Sequence, residues 1–175
     1  MADLRYPIGD FQFSGKFTNE DRKRAIRVIE ETPAKMRAAV KGLKEKQLDT
    51  AYRPGGWTVR EVVHHVPDSH LNAYIRFKLA LTEDVPTIKA YDEQKWAKLE
   101  DSKSTPIETS LTLLESLHGR MTILLKSLKP SDFARKFNHP ERGPMTVDSL
   151  LALYAWHGPH HVAHITELRK REGWK

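Results

Sequence analysis

The chain has 175 residues, with 29 Lys and Arg against 23 Asp and Glu, nine histidines and no cysteine. Without cysteine there are no disulfides, no thiolate-ligated zinc, no iron–sulfur cluster and no protein thiol nucleophile. The net charge of +6 favours anionic partners in general. The basic residues are nevertheless spread over several predicted helix faces, apart from Arg169, Lys170 and Arg171, and no aromatic–basic interleaving points to nucleic acid.

The N-terminal stretch lacks the basic head and apolar run of a signal peptide, and no segment has the apolar length of a membrane span. The expected location is therefore the cytoplasm, with no membrane partner. The length suits a single domain over residues 1–175.

Four long amphipathic patterns follow in chain order. The first begins near Thr18, with Asp21 placed for a capping box, and its stripe runs Ile26, Ile29, Met36, Val40 and Leu43. The stripe keeps phase across Pro33, which predicts one kinked helix; a new start at Thr32–Pro33 is the alternative. The second opens at Thr58, with Glu61 as the returning acid, and runs through Val59, Val63, Val66, Tyr74, Phe77 and Leu81, with Pro67 inside it.

Residues 83–104 are polar and read as a long connection with one short helix near Asp92–Leu99, suited to a crossover or a lid. The third helix is predicted from Thr105, Pro106 and Glu108, with Leu111, Leu114, Leu117, Met121, Leu124 and Leu128 as its stripe. Residues 129–145 read as loop. The fourth helix begins at Thr146 and stops before Gly173. Four such helices without convincing strands predict an all-α four-helix bundle with long connections.

The histidines are clustered. His64 and His65 are adjacent on the second helix, and the segment HGPHHVAH on the fourth holds His157, His160, His161 and His164. Four imidazoles in eight positions are hard to attribute to packing, because each buried one needs its own partner. His160 and His164 stand i,i+4, so both face one side of the helix within reach of a single ion; His157 and His161 have the same spacing, and spacing alone does not choose the register. Facing helices of a bundle are natural donors to one metal.

The segments YPIGDF, GGWTVREVVHHVPDSH, YIRFKLALTE and WHGPHHVAHITEL together resemble the DinB-like superfamily, and within it the YfiT group of metal-dependent hydrolases that includes bacillithiol transferases. The resemblance implies a bundle holding one metal through three histidines, one from the second helix and two from an HxxxH on the fourth. Carried onto this chain, it implies His65, His160 and His164 as ligands. It also implies a homodimer. His161 and Asp68 are candidates to support the ligands.

Three imidazoles leave room on the ion for a further ligand, the pattern of a catalytic rather than a structural site. Such an ion, one Zn2+ or Ni2+ per subunit, can activate water or bind and deprotonate a thiol. Glu61 reads as a capping residue and Asp68 lies about a turn from His65, so no general base is obvious. That tilts the expectation to a thiol S-transferase acting on a small-molecule substrate; the resemblance implies bacillithiol as the thiol. The alternatives are a metal-dependent hydrolase and a non-catalytic metal-binding stress-response protein. Trp57, Tyr74, Arg76 and Trp156 are candidates to line a substrate pocket, with core packing or a surface position as the plainer alternative.

Overall fold

The apolar stripes become four long helices in the computed structural model, which describes residues 3–15 and 17–174. Helix α1 spans Asn19–Val40, and the one-turn α2 spans Glu45–Leu48. Helix α3 spans Val59–Thr82, followed by the one-turn α4 (Glu93–Trp96) and α5 (Asp101–Ser104). Helix α6 spans Ile107–Ser127 and α7 spans Val147–Glu172.

The predicted caps form at three ends. Thr18 accepts from the Asp21 N–H and Thr58 from the Glu61 N–H, while each acid accepts from the cap's own N–H. Gly173, at φ 65°, ends α7 in the left-handed region where a side chain would be strained. The start of α6 differs from the expectation: Thr105 does not cap it, and Pro106 precedes its first helical residue with no side-chain cap bond.

The prolines Pro33, Pro67 and Pro159 lie inside α1, α3 and α7, and each helix continues through its proline. A proline has no N–H to give the carbonyl four residues earlier, so Pro33 frees the carbonyl of Ile29. That carbonyl is used at the site.

Around the bundle, α1 packs on α6 and α7, and α3 packs on the same two, so α1 and α3 sit on a diagonal. The ion pair Arg22–Asp148 and the bond from Arg169 to the Ala39 carbonyl join like ends, so α1 and α7 run parallel. His64–Ser110 and His70–His118 do the same for α3 and α6. Parallel neighbours about 30–40 Å long cannot be joined by a tight turn. The chain must return along the bundle, and residues 83–106 are that crossover.

Two apolar clusters fill the interior. One gathers Ile29, Phe77, Met121, Leu125 and Leu151, and the other Met36, Val59, Val63, Leu114 and Ile165. Each such side chain contributes roughly 1.5–3 kcal/mol when fully buried.

The connections hold more structure than the sequence suggests. Residues 129–145, expected as loop, contain strand β1 (Lys136–His139) paired antiparallel with β2 (Gly143–Thr146). Only Phe137 and His139 turn inward, too few positions to show a period of two. The crossover docks on this hairpin: Asn138 donates to the Pro86 carbonyl and accepts from the Ile88 N–H. The single helix expected near Asp92–Leu99 is instead the one-turn α4, capped by Asp92, with α5 beyond it. No helix among the described residues is long and apolar enough to cross a membrane.

Candidate metal centre

Gly158 sets how α7 meets α1. A Cβ built on it would stand 2.7 Å from Thr32 Cγ2 and 2.8 Å from Thr32 Oγ1, so only glycine permits this approach. Thr32 is itself buried and held by its hydroxyl on the Val28 carbonyl. Helical residues advance by about 100° each, so with Gly158 against α1, His157 and His161 lie about 60–100° round the helix and His160 and His164 about 120–160°. The first pair is therefore turned toward α3 and the second toward the rim.

Among the described residues, two histidine trios have ligand nitrogens all within 4.8 Å of one another: His65, His157 and His161, and His160, His161 and His164. The expected combination His65, His160 and His164 is neither of these. In the first trio the Nε2 atoms face each other, 3.4 Å between His65 and His157 and 3.2 Å between His161 and His157.

Two hydrogen-bond chains distinguish the trios. The Ile29 carbonyl freed by Pro33 can only accept, so His118 donates to it from Nδ1 at 2.6 Å. His118 Nε2 then accepts from His70 Nδ1 at 2.8 Å, and His70 Nε2 accepts from His157 Nδ1 at 3.2 Å. A neutral imidazole has one N–H, so His157 keeps an accepting lone pair on Nε2, with the Ser69 hydroxyl 3.5 Å away. The chain passes through α1, α6, α3 and α7 in turn.

The second chain starts at the Arg5 carbonyl, which accepts from His164 Nε2 at 3.0 Å. His164 Nδ1 therefore accepts from His161 Nδ1 at 3.3 Å, and His161 also keeps a bare Nε2. The His161 and His157 lone pairs then face each other at 3.2 Å, an arrangement that a cation between them would relieve. His164 has both nitrogens engaged, Nε2 with the Arg5 carbonyl and Nδ1 with His161. The residues present fit a metal at His65, His157 and His161. His161 is common to both trios, and His160 of the second has a buried Nδ1 with no hydrogen-bond partner among the described residues.

Burial keeps these rings neutral. It pushes His65 down to about 3, aided by the nearby His164 and His160, and holds His157, His161 and His70 well below the usual histidine range. Neutral imidazole is the form that ligates. His118 is pushed down to about 4 by burial.

The trio opens onto a cavity of about 390 Å³ between α3, α7, the crossover and the hairpin. Trp57 packs on His65 with ring centroids 4.5 Å apart and donates to Gln94 of α4. Trp156 stacks on His160 and donates to the Gly9 carbonyl, fastening the N-terminal segment beside the site. Arg76 also lines the cavity and is only 7% exposed, whereas Tyr74 is not among the lining residues.

The remaining candidates lie elsewhere. His64 points away from the trio to Ser110 Oγ. Glu61 keeps its capping role and pairs with Lys98. Asp68 neither lines the cavity nor bonds to a trio member; burial pushes its carboxyl up to about 6, and Asp101 adds to the effect. His70, His118 and Arg142 were not singled out from the sequence, and the isolated His70 and His118 carried no signal. His157 was visible there as the i,i+4 partner of His161 in the alternative register.

A family model described as the DinB superfamily matches residues 29–165. The chain belongs to the DinB superfamily. Among relatives in that superfamily, one from Bacillus mycoides strain KBAB4, named as a candidate metal-dependent hydrolase, is 57% identical over 174 residues, covering 99% of this chain and all of the relative. A relative from Bacillus cereus strain 03BB102 with the same name is 58% identical over the same span. The solved structure of YfiT from Bacillus subtilis, described as a probable metal-dependent hydrolase with an unusual four-helix bundle topology, matches with a TM-score of 0.97 at 50% identity over 99% of this chain and all of that one. The four-helix bundle protein TT2238 matches with a TM-score of 0.56 at 19% identity, covering 81% of this chain and 94% of that one, and shows the fold alone.

Proposed function

We propose that this DinB-superfamily chain is an enzyme that holds one divalent ion, Zn2+ or Ni2+, through Nε2 of His65, His157 and His161, and uses it to activate a nucleophile. The observation that carries this is the pair of anchored hydrogen-bond chains that leave accepting Nε2 lone pairs on His157 and His161, facing His65 at the wall of an open cavity. An ion bound by three imidazoles supplies Lewis acidity and lowers the pKa of a further ligand.

Around it the chain's own residues do the positioning. His70 and His118 hold the ring of His157, His164 holds that of His161, and Trp57 covers one face of His65. The crossover and the N-terminal segment wall the cavity from solvent on two sides.

The nucleophile we propose is a low-molecular-weight thiol of the bacillithiol kind, making the protein a thiol S-transferase. Among the described residues no carboxylate is hydrogen-bonded to a member of the trio, and a thiol, with an ordinary pKa near 8.5, needs less help to ionise than water does. Hydrolysis is the second reading. It is favoured by the names of the relatives and by Glu93 and Glu141 in the cavity wall, where either could accept a proton from water. Turnover of matched electrophiles, esters and amides with and without bacillithiol, against chelated protein as blank, separates the two. Conjugation that needs both thiol and metal is expected. Metal-dependent cleavage without thiol, and no conjugation across several electrophiles, overturns the transferase reading.

We also propose a homodimer. Leu71 and Ile75, one turn apart on α3, are 41% and 48% exposed and offer an apolar strip for a second copy. Light scattering across concentrations tests this, and a monomer throughout refutes it.

A further inference from the structure

Arg76 is an unusual residue to find in the wall of the cavity. The residue is 7% exposed, yet no carboxylate lies within 4.0 Å of its guanidinium among the described residues. Its hydrogen bond at 3.1 Å goes to a neutral acceptor, the Lys89 carbonyl of the crossover. A buried guanidinium without a counter-charge is costly, and a folded chain compensates it with an anion. Arg142, at the tip of the hairpin, lines the same cavity, is exposed and likewise has no carboxylate partner.

The two guanidinium groups face one cavity, whose wall also holds His139, Tyr154 and His157 of the trio. The other cavity arginines are occupied: Arg5 pairs with Asp3, and Arg53 donates to Tyr52 Oη and the Pro54 carbonyl. The acids of the wall, Glu93 and Glu141, are exposed and form no ion pair with either arginine.

We infer that Arg76 and Arg142 form an oxyanion subsite beside the histidine trio, so that the substrate is a small molecule with a carboxylate or phosphate group placed within one molecule's length of its reacting atom. The guanidinium fork suits either group, since both present paired oxygens. The subsite rests on the reading of the cavity as the active site. It adds that the crossover and the hairpin act with α3 in selecting the substrate: α3 carries Arg76, the crossover fixes it through Lys89, and the hairpin carries Arg142.

Calorimetric titration of the chelated, full-length protein with succinate, inorganic phosphate and the neutral control succinamide tests the subsite without the metal. Succinate or phosphate should bind and succinamide should not. Which of the two binds more tightly identifies the group. Arg142→Ala, an exposed position, and Arg76→Met should each weaken binding at least tenfold, with circular dichroism reporting the fold of both. His161→Ala should lose metal yet bind the anion as the chelated wild type does, so a failed metal proposal and a failed subsite give different patterns. Absence of binding by both anions, or Arg142→Ala binding as tightly as wild type, overturns the inference.

Discussion

A neutral imidazole has a single N–H, and the carbonyls of Ile29 and Arg5 decide where it sits on five of the nine rings. This assigns distinct roles to residues of one type. His161→Ala should remove a ligand and abolish tight metal binding. His164→Ala should keep about one ion per chain but weaken it roughly 10–100-fold, the usual cost of losing a ligand's supporting partner. His64→Ala should bind as wild type, since its ring faces Ser110. Metal titration of the three variants checks the order, and equal losses at His161 and His164 would contradict it. The remote anchor is testable as well. His118→Phe removes the bond to Ile29 and the acceptor for His70, so metal affinity should fall although residue 118 touches no ligand. Unchanged affinity in a folded His118→Phe variant would show that the chain has no positioning role.

At the scale of elements, the site depends on how α7 is rotated against α1. Gly158→Ala adds a methyl group against a buried, β-branched Thr32 that cannot swing aside. Overpacking of this kind costs roughly 1–3 kcal/mol, partly offset by the better helix propensity of alanine, so the melting temperature should fall. Thr32→Ala in the same chain should restore much of it by vacating the space. Chemical denaturation of the single and double variants measures this, and additive losses would place the strain elsewhere. The crossover and the hairpin belong to the same scale. Parallel packing of α3 against α6 forces the long connection, and the connection then supplies a cavity wall.

For the whole molecule, the buried histidines make stability depend on pH. His118 is pushed down to about 4 and His65 to about 3, against an ordinary 6.5. Between those values the unfolded chain binds protons that the folded chain refuses, so stability rises with pH in that window. The contribution is fully present above pH 6.5 and is lost as pH falls toward 4 and below. The metal-free protein should therefore melt at progressively lower temperature from pH 6.5 to 4, and His118→Phe should flatten part of that slope. A melting temperature independent of pH over this range would contradict it. Metal should raise the melting temperature at neutral pH by binding the folded form, and the gain should shrink in acid as protons compete for the ligands.

The sequence by itself determined the four helices, two of the capping boxes at their starts, the glycine that ends α7, the crossover and the presence of a histidine centre. These depend on residues close in the chain: a stripe at 3.6-residue spacing, a Thr three positions before an acid, an imidazole pair at i,i+4. It did not determine the ligand register, because His157–His161 and His160–His164 have identical spacing and differ only in which way α7 faces. The register we propose rests on Gly158 against Thr32 and on the two carbonyl anchors, contacts between residues more than 80 positions apart. The carbonyl that Pro33 frees and His118 takes is of the same kind: the proline is plain in the sequence, but its partner exists only once α6 packs on α1. The hairpin and Arg76 follow the same rule. Four-residue strands are too short to show a period, and an arginine on a helix looks solvated until the crossover folds over it.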